Sequence, residues 1–347
     1  MDTDIRQMFV DTAARLFSEQ VTRDVVNGLE KGTWPADLWK QVEEAGLAWA
    51  AVPESAGGAG GSIGDLMAVL REAGRNAVPL PLAETGLGAM MVAQSGLTPP
   101  VGPLALVIGD AGSSVRISGG RVTGSAKRVP FASIAGHIVV VAGGEIAVVA
   151  ASNARIATGQ SHAGEPYDDV TFENAVAVAA GKSSVSADRA LQLAALARAN
   201  QMAGAAERVL AIVTQYSKER VQFGRSISTF QAVQHMLADM ATHIAATSAA
   251  ARTAAYDAED GDGSFSIMAA KTQAGEAANR ICAIAHQSMG AMGYTYEHTL
   301  HHYTRRLWVW RRDYGSETVW ATRLGQALAR GGADSIWASM TASRLVA

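Results

Sequence analysis

A single cysteine, Cys282, in a chain of 347 residues leaves no partner for an intramolecular disulfide and too few thiols for a cysteine-based zinc site. That scarcity fits a reducing compartment. Blocks of lysine and arginine are missing too. The 29 basic residues face 32 acidic ones, a formal net charge of -3, which disfavours a nucleic-acid binder. No apolar run approaches the ~18 residues that a membrane span requires, because the longest stretches are rich in Ala and Gly and broken by charge. The first residues carry Asp2 and Asp4 where a secretory leader would carry basic groups, so no signal peptide is expected and the default compartment is the cytoplasm. Charged residues make up only 18 % against 48 % hydrophobic, which is ample for a core and excludes global disorder. The length alone suggests two or three domains.

What is present falls into three zones. Residues 1–97 read as helical: Ile5, Met8, Phe9, Thr12 and Leu16 recur at steps of three and four. Pro35 and Asp37 announce a second helix through Leu38, Val42 and Ala45, ending at Gly46. Pro53 and the Gly57–Gly61 run force a loop, and Ile63, Leu66, Met67 and Leu70 form a third helix before Val78–Pro81 breaks the chain. Residues 98–185 switch to short apolar runs between turn residues: Leu104–Ile108, Val115–Ile117, Ile138–Val141, Ile146–Val149 and Val170–Phe172. This predicts a β domain of short strands, a small sheet or compact barrel rather than a large sandwich. Residues 186–347 return to the helical period. Met202, Ala206, Val209, Val213 and Tyr216 line one face, Val233, Leu237, Met240 and Ile244 a second, and Ile267, Ala270, Ala274, Ala277, Ile281 and Ile284 a third. Helices, then strands, then a helical bundle, with no βαβ alternation, give an α+β class and argue against a Rossmann sheet.

Four features resemble sites and have a simpler reading. Gly57–Gly61 follows no strand and contains no phosphate-loop lysine, so it reads as a turn. His298, His301 and His302 with Glu297 offer metal ligands, but only His298 and His302 share an i, i+4 spacing, and a polar helix or loop surface is the plainer account. Arg305, Arg306, Arg311 and Arg312 interleave with Trp308, Trp310 and Tyr314, which reads as an amphipathic segment rather than a base-stacking surface. Cys282 sits on an apolar helix face and reads as a buried, inert thiol.

Four further segments carry a resemblance. Residues 219–240 contain Arg220-Val-Gln222-Phe223-Gly224, then Phe230-Gln231, then Ala238-Asp239-Met240. Gln287-Ser-Met-Gly290-Ala291-Met-Gly293-Tyr294 lies one helix pair later. Trp34 to Gly61 and Glu72 to Leu82 supply two earlier stretches in the same order. Together these resemble the acyl-CoA dehydrogenase flavoproteins over nearly the whole chain. The resemblance implies an N-terminal helical domain, a middle β domain and a C-terminal four-helix bundle. It implies FAD as cofactor, an acyl-CoA substrate and electron-transfer flavoprotein as electron acceptor. It also implies the reaction: removal of an alpha proton and transfer of the beta hydride to flavin, giving a trans-2-enoyl-CoA. Carried over residue by residue, Arg220 would meet the FAD pyrophosphate across a subunit interface. Gln222, Phe223 and Gln231 would lie against the cofactor, Gln287, Gly290 and Ala291 would line its adenosine side, and Ser316 would be a further contact.

The sequence departs from the family in three places. The flavin loop of the middle domain survives only as a trace, Asp110–Ser114. The family's catalytic Glu falls on Tyr314, which leaves Asp313 as the adjacent carboxylate and candidate base. An alternative family position for the base falls near Ala194, with Glu207 on the same helix but displaced. Two readings follow: a homo-oligomeric dehydrogenase using Asp313, or a degenerate subunit of a hetero-oligomer that completes an FAD site held by a longer acyl-CoA dehydrogenase subunit. A non-enzymatic helical scaffold is a third.

Overall fold

The computed structural model describes residues 3–109 and 114–342, so residues 110–113 of the expected loop trace lie outside the described residues. The chain forms two compact units, Met1–Val69 with Pro79–Ala194 and Leu70–Val78 with Ala195–Ala347.

In the first unit, helices α1 (Thr3–Gln20), α2 (Arg23–Glu30), α3 (Ala36–Glu44) and the start of α4 (Ile63–Arg75) precede an almost wholly buried helix, α5 (Leu82–Gln94). The start of α4 is fixed by a reciprocal cap. The Ser62 amide donates to Asp65 Oδ2 at 2.8 Å and the Asp65 amide donates to Ser62 Oγ at 3.2 Å. Arg6 of α1 donates to the other Asp65 oxygen at 2.7 Å, neutralising a carboxylate that is only 1 % exposed. As expected, α3 ends before Gly46, whose φ of +70° reverses the chain. In α5 every residue from Leu82 to Val92 is buried, which explains why it shows no amphipathic period. The α5 residue Thr85 accepts the Leu104 amide at 3.0 Å and so ties this helix to the first strand.

The strands are β1 (Leu104–Gly109), β2 (Arg116–Ser118), β3 (Arg121–Pro130), β4 (His137–Ala142), β5 (Glu145–Ala150), β6 (Arg155–Ala157), β7 (Tyr167–Val176) and β8 (Ala179–Lys182). They form two four-stranded sheets ordered β1-β4-β5-β8 and β2-β3-β7-β6, with one parallel pair, β1 on β4. Val107, Ile138, Val140 and Val149 from one sheet share a core with Val122, Val170 and Phe172 from the other. The five apolar runs in the sequence all became strands. Of the others, β3 is mostly polar and β6 and β8 are only three and four residues long, and cross-strand pairing defines them. β3 buries little besides Val122, Val129 and Pro130, yet it carries the longest antiparallel ladder of its sheet, to β7. Asp168, fully buried, accepts the amides of Ser133 at 2.7 Å and Gly159 at 3.0 Å and joins two loops to β7.

The second unit is helical: most of α6 (Ala187–Glu219), a ribbon of β9 (Val221–Gln222) and β10 (Arg225–Ser226), then α7 (Gln231–Asp260), α8 (Ser264–Met289), α9 (Leu300–Trp310), α10 (Glu317–Gly331) and α11 (Ala333–Ala342). The predicted face of α8 is buried throughout; that of α6 is buried from Met202 to Val213 and half-buried at Tyr216, and that of α7 buries Met240 and Ile244 with Val233 and Leu237 half-buried. Glycine makes the closest approach possible. A Cβ on Gly74 would stand 2.0 Å from the Gln201 carbonyl oxygen, and one on Gly204 would stand 1.9 Å from that of Arg71. Around this contact Glu207 binds Arg71 and Arg75 and accepts the Ser248 hydroxyl at 2.6 Å, so it is a structural carboxylate. The histidine expectation is corrected. His298 precedes α9 rather than lying on it, and His301 and His302 are buried, 7 % and 3 % exposed, instead of forming a polar surface.

Gly74→Ala and Gly204→Ala should each destabilise the protein by about 1–3 kcal/mol through overpacking. Gly325→Ala is on the exposed side of α10, with nothing near its Cβ position. It should stabilise by roughly 0.5–1 kcal/mol, since a helical glycine is entropically costly. Urea midpoints of the three variants check the contrast.

Candidate cofactor site

The sequence-predicted site residues fall into three places on the second unit. The first is the β9–β10 ribbon. The Arg220 amide donates to Tyr216 O at 2.8 Å and its carbonyl accepts from Ile227 N at 2.9 Å, which closes the ribbon onto the end of α6. Phe223 and Gly224 form its two-residue turn, with φ of +54° and +78°, the sign pattern of the primed hairpin turns. A phenylalanine in left-handed backbone is strained by roughly 1–2 kcal/mol. Phe223 is also 93 % exposed, touching only the edge of Phe230 at 6.1 Å. The ribbon is nonetheless well anchored: Ser226 Oγ donates to Ser217 O at 2.8 Å, and the Arg225 guanidinium lies 4.3 Å from the Phe230 ring centroid. The Arg220 guanidinium makes no ion pair or hydrogen bond among the described residues, and both it and Gln231 are exposed. Gln222 donates only to the neighbouring Val221 carbonyl, at 2.7 Å.

The second place is the end of α8. Gln287, Gly290 and Ala291 are exposed. Gly290 takes φ +58° and ψ -142°, a conformation essentially restricted to glycine, and a Cβ there would meet nothing within 4 Å. Behind this bare backbone His286 is stacked between Tyr294, at 4.3 Å and 23°, and Trp308, at 5.7 Å and 12°. Its Nε2 pairs with Thr304 Oγ1 at 3.1 Å. Burial, and then the neighbouring His301, hold the His286 imidazole below its ordinary pKa. A cavity of about 140 Å³ opens beside the stack, lined by His286, Tyr294, Tyr296 and Trp308 among others.

The third place is the turn between α9 and α10, which holds Asp313, Tyr314 and Ser316. Asp313, the candidate base, is 5 % exposed, and its Oδ2 accepts from Arg198 Nε of α6 at 3.0 Å. Both members of this pair are buried, so the carboxylate is committed to an internal ion pair. Tyr314 sits in left-handed backbone at φ +54°, with the Arg198 guanidinium 5.4 Å from its ring centroid. Ser316 caps α10, accepting the Val319 amide at 3.5 Å. Glu317 is bound by Arg311, whose side-chain hydrogen bonds hold that carboxyl below the usual range, and the same hydrogen bonds raise Arg311. Both carboxylates of the turn are therefore held by arginines.

Sequence reasoning missed Arg198 and Lys271. Lys271 is fully buried on α8 and donates to the carbonyls of Trp310 at 3.2 Å, Arg311 at 2.8 Å and Gly315 at 2.9 Å. Burial lowers its pKa to about 7, with Asp313 opposing that shift. A signal was available: Lys271 falls four residues after Ile267, on the apolar stripe. Cys282 is as expected, buried and pushed well above its ordinary thiol pKa by desolvation.

The donor set fits an anionic nucleotide cofactor: an unengaged guanidinium, three exposed carboxamides and a glycine-opened backbone. Comparison with known proteins agrees. Residues 3–98 match the acyl-CoA dehydrogenase N-terminal domain and residues 185–328 the acyl-CoA dehydrogenase C-terminal domain, so the chain belongs to the acyl-CoA dehydrogenase family. Over 305 residues it is 31 % identical to acyl-CoA dehydrogenase IpdE2 of Mycolicibacterium smegmatis, covering 87 % of this chain and 91 % of that one. It is 33 % identical to acyl-CoA dehydrogenase FadE34 of Mycobacterium tuberculosis over 82 % of this chain, but spans only 41 % of that protein's length. Of solved structures, the Tcur3481-Tcur3483 steroid ACAD G363A variant matches with a TM-score of 0.85 and 27 % identity, covering 94 % of this chain and 98 % of that one. Members of the family are FAD-dependent flavoproteins. No helix among the described residues is long and apolar enough to cross a membrane.

Asp313→Asn should cost about 3–5 kcal/mol of stability, because it leaves the Arg198 charge buried without its counter-charge. Arg198→Met combined with Asp313→Leu should recover most of that loss. Unchanged unfolding of Asp313→Asn in a urea titration would refute the structural assignment.

Proposed function

We propose that this chain is the degenerate partner subunit of a hetero-oligomeric, FAD-dependent acyl-CoA dehydrogenase in the cytoplasm. One contrast carries the reading. The ribbon points Arg220 and Phe223 away from its own fold, while Asp313, the carboxylate beside the family's base position, is locked to Arg198. A chain built this way is suited to lending cofactor contacts and poorly suited to abstracting a proton.

In this reading bound FAD supplies the two-electron acceptor for oxidation of the CH–CH pair next to a thioester. Arg220 holds pyrophosphate oxygens with its planar fork of donors. Gln222, Gln231 and Gln287 donate hydrogen bonds, Phe223 covers an apolar part of the cofactor, and Gly290 and Ala291 let the backbone approach the adenosine. Ser316 offers its hydroxyl from the start of α10. The proton-abstracting carboxylate comes from a longer acyl-CoA dehydrogenase subunit, which also supplies the flavin loop, and electrons pass on to electron-transfer flavoprotein. The likeness to a steroid ACAD supports a bulky, steroid-derived acyl-CoA as the substrate class.

Purified alone, the chain should be colourless or hold FAD well below one per chain; co-expressed with a longer subunit, the complex should be yellow and bleach with acyl-CoA. In that complex Arg220→Ala should weaken FAD binding about tenfold or more, the scale of a lost charge-assisted hydrogen bond, with the melting temperature of the chain unchanged. A chain that is stoichiometrically yellow by itself, and whose bleaching Asp313→Asn abolishes, would instead establish the self-sufficient homo-oligomer. A complex without FAD would favour the scaffold.

A further inference from the structure

A fully buried lysine needs an explanation, and Lys271 finds its hydrogen-bond partners in main chain alone. Its three carbonyl acceptors, from Trp310, Arg311 and Gly315, bracket the turn that carries Asp313 and Tyr314. The same stripe of α8 continues to hold that segment. One turn on, Gly275 leaves room for Glu317, where a Cβ would stand 2.6 Å from the Glu317 Cβ. A further turn on, Asn279 Oδ1 accepts from Arg311 Nη1 at 2.6 Å. Lys271, Gly275 and Asn279, spaced i, i+4 and i+8, form one cradle on a single helix face. The turn needs such support. Tyr314 and Gly315 both have positive φ, +54° and +99°, and their carbonyls are taken by two different donors. The Tyr314 carbonyl accepts from Trp320 Nε1 at 2.9 Å, and the Gly315 carbonyl accepts from Lys271.

We propose that Lys271 is the positioning residue of the 311–316 turn, and that it holds the turn fully only as the ammonium. An ammonium has three N–H donors for three carbonyls; the neutral amine has two, and its lone pair must then face a carbonyl oxygen. The surrounding charges oppose one another. Asp313 and Glu317 favour the ammonium, whereas Arg198, Arg311 and above all burial disfavour it, and the group titrates near 7. The buried residues of α7, the other helix packed on α8, carry no charge. The turn therefore loses one tether as pH rises through neutrality.

Global stability moves the other way. The native pKa of Lys271 lies below its unfolded value, so between about 7 and 10.5 the unfolded chain binds more protons than the native one. Stability accordingly rises with pH across that window, and below about 7, where both states are protonated, the burial penalty is paid in full. Opposite local and global signs distinguish this device from ordinary packing. Its consequence for the cofactor rests on the reading above, in which Ser316 belongs to the FAD site.

Hydrogen–deuterium exchange of the full chain, followed by mass spectrometry from pH 6 to 8.5 and corrected for intrinsic rates, tests the clamp without FAD. Protection of the 311–316 amides should fall about tenfold or more, the equivalent of one charge-assisted hydrogen bond, while the middle of α8 keeps its protection. Lys271→Met should show the low protection at every pH, and its urea stability should lose the rise with pH. A turn with no pH dependence in the native chain, or with the native pH dependence in Lys271→Met, would overturn the proposal. If Lys271→Met does not fold, the native chain's exchange profile alone decides between these outcomes. FAD affinity of the two-subunit complex over the same pH range is a separate readout: flat affinity above a pH-dependent turn leaves the clamp standing and removes Ser316 from the cofactor site.

Discussion

A helical bundle built on alanine packs so closely that any charge inside it has to be satisfied by its immediate neighbours. This constraint shapes the second unit. Arg198 is answered by Asp313, and Lys271 by three carbonyls of the chain reversal that follows α9. Each ion fixes the backbone at the same place, the turn from Arg311 to Ser316. The residues that make the interior tight and those that make the turn rigid are thus a single system. Removing one charge from it leaves another exposed to low dielectric, which is why such clusters tolerate loss of a single member poorly.

Under the proposed function, the same arrangement is how a site would keep one half and lose the other. Cofactor contacts need only exposed donors on a stiff support. The ribbon after α6 supplies these through a hairpin turn pinned by Ser226 and Phe230. A proton-abstracting carboxylate needs the opposite: a group near the reacting carbon, not neutralised by a fixed cation. Asp313 stands beside the right position in sequence and is bound to Arg198 in space. Phe223 on the ribbon and Tyr314 on the turn, two of the six described non-glycine residues with positive φ, lie at these two places, and in both the surrounding hydrogen bonds over-determine the backbone.

Much of the fold could be read directly. Apolar steps of three and four in Met202–Val213 and Ile267–Ile284 mark buried helix faces, and five Val- and Ile-rich runs mark strands, because burial on one face imposes its own period. β3, β6 and β8 were not legible: β3 is largely polar, β6 and β8 are too short to show an alternation, and all three are strands because β2, β5 and β7 offer edges to pair with. The histidines after Tyr294 misled for a related reason. Spacing puts His298 and His302 on one helix face, but the helix begins only at Leu300, and packing decided which rings are buried.

The sequence by itself determined the family and the order of helical and β zones, since these depend on local pattern and on motifs contiguous in the chain. Tertiary structure alone decided which ionisable groups are available for chemistry. Asp313 meets Arg198 across 115 positions, and Lys271 reaches the Gly315 carbonyl across 44. Whether a carboxylate is a base or half of an ion pair depends on the charge facing it and the water excluded from it, and both are set by chain segments far apart in sequence.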